Sequence, residues 1–163
     1  MIQYKHILVP LDGSELAETA LIEALALAEE TKAKVTLLRV VTPLPITIQP
    51  SAHHYLSETN EHEAADYLQK LVNQQHNSPV EVQARLLRGE AADTILYFAK
   101  KHGADLIVMS SHGRSGLSRF FLGSVAEQIM RQATCATLVI RANDETHLFC
   151  QKANSMKIAE AMH

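Results

Sequence analysis

Short apolar runs without polar alternation, separated by stretches of helical period, constrain this chain more than any other feature. The first, Ile7 to Leu11 in "YKHILVPLDGS", is apolar at every position. A strand of that kind has both faces covered, as in a parallel sheet. It stops at Asp12-Gly13, and Ser14 is placed to cap a helix over 15–31, where Leu16, Ala20, Leu21, Ala24, Leu25 and Ala28 form an apolar stripe. "AKVTLLRVV" (33–41) is the second strand, and the proline-punctuated "TPLPITIQPSAHH" (42–54) reads as a long loop.

The pattern then repeats. A helix is expected from Leu56 to about Gln75, a strand over 80–89 ending at Gly89, and a helix from Ala91 to His102 closed by Gly103. "ADLIVMSS" (104–111) is another apolar strand, a helix follows over 124–133, and "ATLVIR" (136–141) is the last strand. The order β-α-β-α-β-α-β-α-β predicts an α/β fold: one open, doubly wound, parallel five-stranded sheet with right-handed crossovers and helices on both faces. One domain is expected over 1–143, with 144–163 as a peripheral C-terminal tail, disordered or docked on a partner.

Composition excludes several function classes. The net charge is −3 and the basic residues are scattered, so no nucleic-acid footprint is present. No apolar run approaches the roughly 18 residues of a membrane span, and the N-terminus lacks a signal-peptide pattern, so a cytoplasmic protein is expected. Cys135 and Cys150 have no zinc or redox spacing and are expected as reduced thiols, the first buried and inert, the second exposed. His53, His54, His62 and His76 fit no compact metal-ligand motif.

Function is concentrated in "SSHGRSGLSRFFLGSVAEQI" (110–129), where three of the six glycines fall within eleven residues, at Gly113, Gly116 and Gly123. In doubly wound sheets ligands bind beyond the carboxyl ends of the strands, where the strand order reverses. The first and fourth strands flank that point, so the turn at Asp12 and the segment from Ser110 to Gly113 converge there. Glycines allow close backbone approach, and a helix starting near Ser124 turns free N–H groups and positive dipole toward the crevice, a setting suited to phosphate.

At these residues the chain resembles the universal stress proteins. Nucleotide-binding members carry G-x-x-G, nine residues, then G-[ST]; here Gly113, residues 114–122 and Gly123-Ser124 match that frame. The resemblance spans roughly residues 3–141 and includes "ILVPLDGS", "LLRVV", "RGEAADTIL" and "CATLVI". It implies the strand order 3-2-1-4-5 and a binding site for ATP, with Mg2+ bridging phosphate oxygens. The implied site residues are Pro10, Leu11, Asp12, Val40, Met109, Ser110, His112, Gly113, Arg114, Gly123, Ser124 and Val125. Asp12 would contact ribose or adenine, the backbone at Val40 the adenine edge, and Met109 the adenosine pocket. Gly113, Gly123, Ser124 and Val125 would offer N–H groups to the phosphates. A homodimer paired antiparallel through the last strand is implied too, and the apolar edge "ATLVI" would otherwise be exposed.

The chain departs from the family pattern at Ser110, which stands where the first glycine belongs. With φ below zero a serine is harmless there and its hydroxyl can donate to a phosphate; with φ above zero it would cost about 1 kcal/mol. Plainer roles stand beside the ligand-binding ones. Ser124 and Glu127 have capping-box spacing, and Asp12 can form an Asx turn. Arg114 and Arg119 can be phosphate ligands or solvated loop charges, His112 can simply shape the loop, and Phe120, Phe121 and Leu122 can pack the loop onto its own helix. A stress-response module with at most slow ATPase or autophosphorylation is expected. An interaction module with an empty crevice and an adenylating enzyme are the alternatives.

Overall fold

A computed structural model describes residues 3–44, 50–111 and 122–141. Its elements are β1 (His6–Leu11), α1 (Glu15–Thr31), β2 (Lys34–Val41), α2 (Pro50–Gln74), β3 (Val82–Arg88), α3 (Ala91–His102), β4 (Leu106–Ser110), α4 (Ser124–Gln132) and β5 (Ala136–Ile140). The strands form one sheet in the order β3-β2-β1-β4-β5, each pair parallel, as expected.

Alternation along the strands divides the core in two. Ile7, Val9, Leu11, Val35, Leu37, Leu106 and Val108 face α1 and α2, where they meet Ala20, Ala24, Leu68 and Leu71. Leu8, Leu38, Ile107 and Met109 face α3 and α4 and pack on Ile95, Phe98, Ala126 and Ile129. Both faces of β1 are thus covered, which is why its sequence lacks alternation.

Two caps form where the sequence places them. The Ser14 side chain accepts the Ala17 amide at 3.2 Å, and Gly103 adopts φ 64° and returns its N–H to the Ala99 carbonyl. The long loop is corrected: α2 starts at Pro50, six residues before Leu56, so His53 and His54 are helical. Proline at a first helical position loses only an N–H that has no intrahelical partner. Residues 142–163, and so the expected tail, lie outside the described residues.

The amino end of the sheet is closed by polar groups. The Asp105 carboxylate accepts the Lys5 amide at 2.9 Å and the His6 amide at 3.2 Å, joining the starts of β1 and β4. The buried His6 ring places Nδ1 3.2 Å from the His102 carbonyl and Nε2 2.8 Å from Thr36 Oγ1. A carbonyl only accepts, so Nδ1 carries the proton and Nε2 accepts from the threonine hydroxyl, which itself accepts from Gln83 Nε2 at 3.1 Å. Burial holds the His6 pKa below its ordinary value, despite the opposing pull of the His102 carbonyl.

Candidate functional site at the carboxyl end of the sheet

β1 and β4 are adjacent, and the chain leaves them for opposite sides of the sheet. Their ladder ends early: its pairs are Ile7 with Leu106 and Leu8 with Ile107. By contrast β1 stays paired to β2 through Leu11 and Arg39, and β4 to β5 through Ser110 and Ile140. Pro10, which has no N–H for either neighbour, lies where the β4 ladder has stopped. Beyond Leu8 and Ile107 the two strands are no longer paired.

The turn after β1 is ordered by its own side chains. Asp12 Oδ1 accepts the Ser14 amide at 2.9 Å and the Ser14 hydroxyl at 2.5 Å, while Gly13 takes φ 84°. The Asx turn therefore forms, and it fixes the Asp12 carboxylate over the start of α1. Farther along α1 the Glu18 carboxyl neighbours the Tyr67 hydroxyl of α2. Burial raises both pKa values, and the negative charge of Glu18 adds to the rise at Tyr67. The buried Tyr67 hydroxyl stands beside Glu18 without reaching hydrogen-bond geometry.

On the β4 side, the buried Ser111 donates its N–H to the Ile140 carbonyl at 2.8 Å and accepts the Gly123 N–H at 2.8 Å. One backbone clasp thus joins the end of β4 to the residue before α4. Two expectations are corrected by it. The Gly123 amide is already donated to Ser111, so it is not offered to a phosphate. Gly123 is also the N-cap of α4, with φ −61° and no side-chain cap, so Ser124 lies inside the helix and no capping box forms. Glu127 instead pairs with Arg131 Nη2 at 2.8 Å.

The first helical hydrogen bond of α4 runs from the Glu127 N–H to the Gly123 carbonyl. The amides of Ser124, Val125 and Ala126 precede it, and they form the positive end of the helix. Ser110, the last residue of β4, is extended; Lys32 is the one non-glycine with positive φ among the described residues. The serine Cβ therefore costs no left-handed strain.

Beside these amides is a cavity of about 330 Å³. Ser124, Val125 and Gln128 of α4 form one wall, Glu90 to Asp93 at the start of α3 the other, and Thr42 after β2 closes the end. Gln128 Nε2 donates to Asp93 Oδ1 at 2.7 Å and ties the walls together. Its volume lies at the lower end of the roughly 300–1,000 Å³ range of small-ligand pockets, and the uncapped amides suit an anionic group. Glu90 and Asp93 oppose a bare polyphosphate, whose charge a bridging cation would have to lower.

Of the expected residues, Pro10, Leu11 and Asp12 lie at the end of β1 and in its turn, Met109 and Ser110 at the end of β4, and Gly123, Ser124 and Val125 at the start of α4. Val40, near the end of β2, is half-buried against the α3/α4 core, and Met109 is buried within that core. His112, Gly113 and Arg114, with Gly116, Arg119, Phe120 and Phe121, lie outside the described residues. Leu122 packs on the α3/α4 core.

The α3 wall was missed by sequence reasoning. Its signal was "RGEAAD", a strand end, a glycine and a helix start on the same edge as the other two turns. Gly89 has φ 149°, and a Cβ there would collide with Thr94 Oγ1. The histidines of α2 have local partners: His54 lies 3.4 Å from Glu58, and His62 lies 3.4 Å from Asp66. Cys135 is half-buried against the α3/α4 core, and burial raises its thiol pKa.

Comparison with known proteins follows the same geometry. The chain matches the universal stress protein family over residues 3–141. Universal stress protein MJ0531 of Methanocaldococcus jannaschii is 36% identical over 140 residues, covering 85% of this chain and 82% of that protein. Universal stress protein UspA from Lactobacillus plantarum superposes with a TM-score of 0.76 at 31% identity, covering 86% of this chain and 100% of that one. A family protein from Arabidopsis thaliana with AMP bound shares the fold, with a TM-score of 0.63 at 20% identity, over 86% of this chain and 94% of that one.

Proposed function

The chain belongs to the universal stress protein family, and on that premise we propose that it is a cytoplasmic, homodimeric regulator that binds ATP at the carboxyl end of its sheet. In this proposal 1–143 is the binding domain and 144–163 an appended tail. The observation that carries it is the uncapped start of α4, fixed by the clasp between Ser111 and Gly123 and opening on the 330 Å³ cavity. The amides of Ser124, Val125 and Ala126 take phosphate oxygens, and Mg2+ reaches the protein through those phosphates. Asp12 takes the ribose, and Val40 and Thr42 flank the base. The AMP held by the Arabidopsis relative supports an adenine nucleotide as the ligand class.

In this proposal slow turnover at most accompanies binding. The dimer forms through β5, an edge strand with Leu138 37% exposed. One observation favours the rival, an interaction module with an empty crevice: Glu90 and Asp93 place two carboxylates in the cavity wall. Titration with a fluorescent ATP analogue, with and without Mg2+, separates the two. Saturable binding that strengthens with Mg2+ is expected; no saturation at millimolar nucleotide would refute ATP binding.

A further inference from the structure

Arg39 lies in β2 directly opposite Leu11, the last residue of β1. Its Nη1 donates to the Leu11 carbonyl at 3.2 Å, and Leu11 is only 4% exposed. That oxygen belongs to the planar peptide joining Leu11 to Asp12, so whatever holds it sets the direction in which Asp12 leaves the strand. The other end of the turn is held by Ser14, through the two bonds to Asp12 Oδ1. Beyond the effect of burial, the charges of Glu18, Asp12 and Arg39 all act on the Tyr67 hydroxyl, the first two raising its pKa and the guanidinium lowering it.

We propose that Arg39 is the positioning residue for ribose recognition: from under the end of the sheet it locks the Leu11–Asp12 peptide, and so aims the Asp12 carboxylate at the ribose hydroxyls. This rests on the nucleotide site proposed above. Arginine suits the task because its planar fork presents N–H donors to a carbonyl in a fixed direction, which the point charge of lysine does only in part.

The test uses the full chain, unsubstituted and as Arg39→Met and Arg39→Lys, with two readouts. In the absence of ligand, amide exchange at Ser14 should accelerate at least about fivefold in Arg39→Met while Ile7 to Val9 stay protected; unchanged Ser14 exchange overturns the role of Arg39. With ligand, the unsubstituted protein should prefer ATP to 2′,3′-dideoxy-ATP about tenfold. Arg39→Met should lose that preference while binding the dideoxy analogue as before, and Arg39→Lys should recover part of it. Full preference in Arg39→Met overturns the proposal. If the unsubstituted protein binds neither nucleotide, the ATP site itself is refuted, and Ser14 exchange alone then decides whether Arg39 holds the turn. Should Arg39→Met fail to fold, Arg39→Lys must show an intermediate preference, and one equal to the unsubstituted protein's overturns the proposal.

Discussion

The two ends of the sheet are built from the same strands and do opposite things. At the amino end, His6, Thr36 and Gln83 form a chain of hydrogen bonds across three strands, and Asp105 joins β1 to β4. At the carboxyl end the β1–β4 ladder has stopped, and three helix starts or turns face a cavity instead of one another. Polar groups at one end hydrogen-bond one another across the sheet; at the other, the first amides of α4 stand beside a cavity. A parallel sheet makes the division natural, because helices follow strands on one edge and collect their N-termini there.

Substitutions at the two ends should therefore separate stability from binding. The largest effect is expected for Thr36→Val, which keeps the shape but strips His6 Nε2 and Gln83 of their shared partner. It should destabilise by about 2 kcal/mol, read from the urea midpoint, with nucleotide affinity unchanged. An affinity loss as large as the stability loss would break the comparison.

Next is Gly123→Val, which adds bulk at the N-cap of α4. Affinity for ATP should drop at least about tenfold, near 1.4 kcal/mol, with the dimer retained by sedimentation. Unaltered affinity would mean that the ligand lies elsewhere.

A smaller effect attaches to pH. Burial lowers the folded-state pKa of His6 below 6.5, so the unfolded chain takes up the proton first on acidification. The stability it contributes is complete above that value and is lost as pH falls from there toward the folded pKa. Urea midpoints of the unsubstituted protein and His6→Gln should converge across that window, and parallel curves would remove His6 as the cause. The smallest change is expected for Arg131→Ala, which breaks an exposed pair with Glu127 one helical turn away. It should cost less than about 0.5 kcal/mol and leave ATP affinity unmoved; a tenfold affinity change would show that the α4 surface belongs to the site.

Much of the fold was legible because local physics agreed with tertiary need. Ile7 to Val9 are apolar since both faces of β1 are covered, and Ser14 and Gly103 cap helices by bonds within four residues. Pro50 misled because proline marks a helix start as readily as a loop, and only the packing of α2 on β3 tells which. Gly123 misled in a similar way. Its frame with Ser124 suggested a donated amide, yet the bond to Ser111 depends on how the loop closes.

The order of strands and helices and the two-sided core followed from the chain alone, through periodicity and turn chemistry that act over a few residues. Contacts between residues far apart in sequence needed the folded structure: the α3 wall of the cavity, the engagement of the Gly123 amide, and the reach of Arg39 to the Leu11 carbonyl. Periodicity reports which face of an element is buried. It carries no information on which atom of a distant element will be found there, because that depends on register and packing across the sheet.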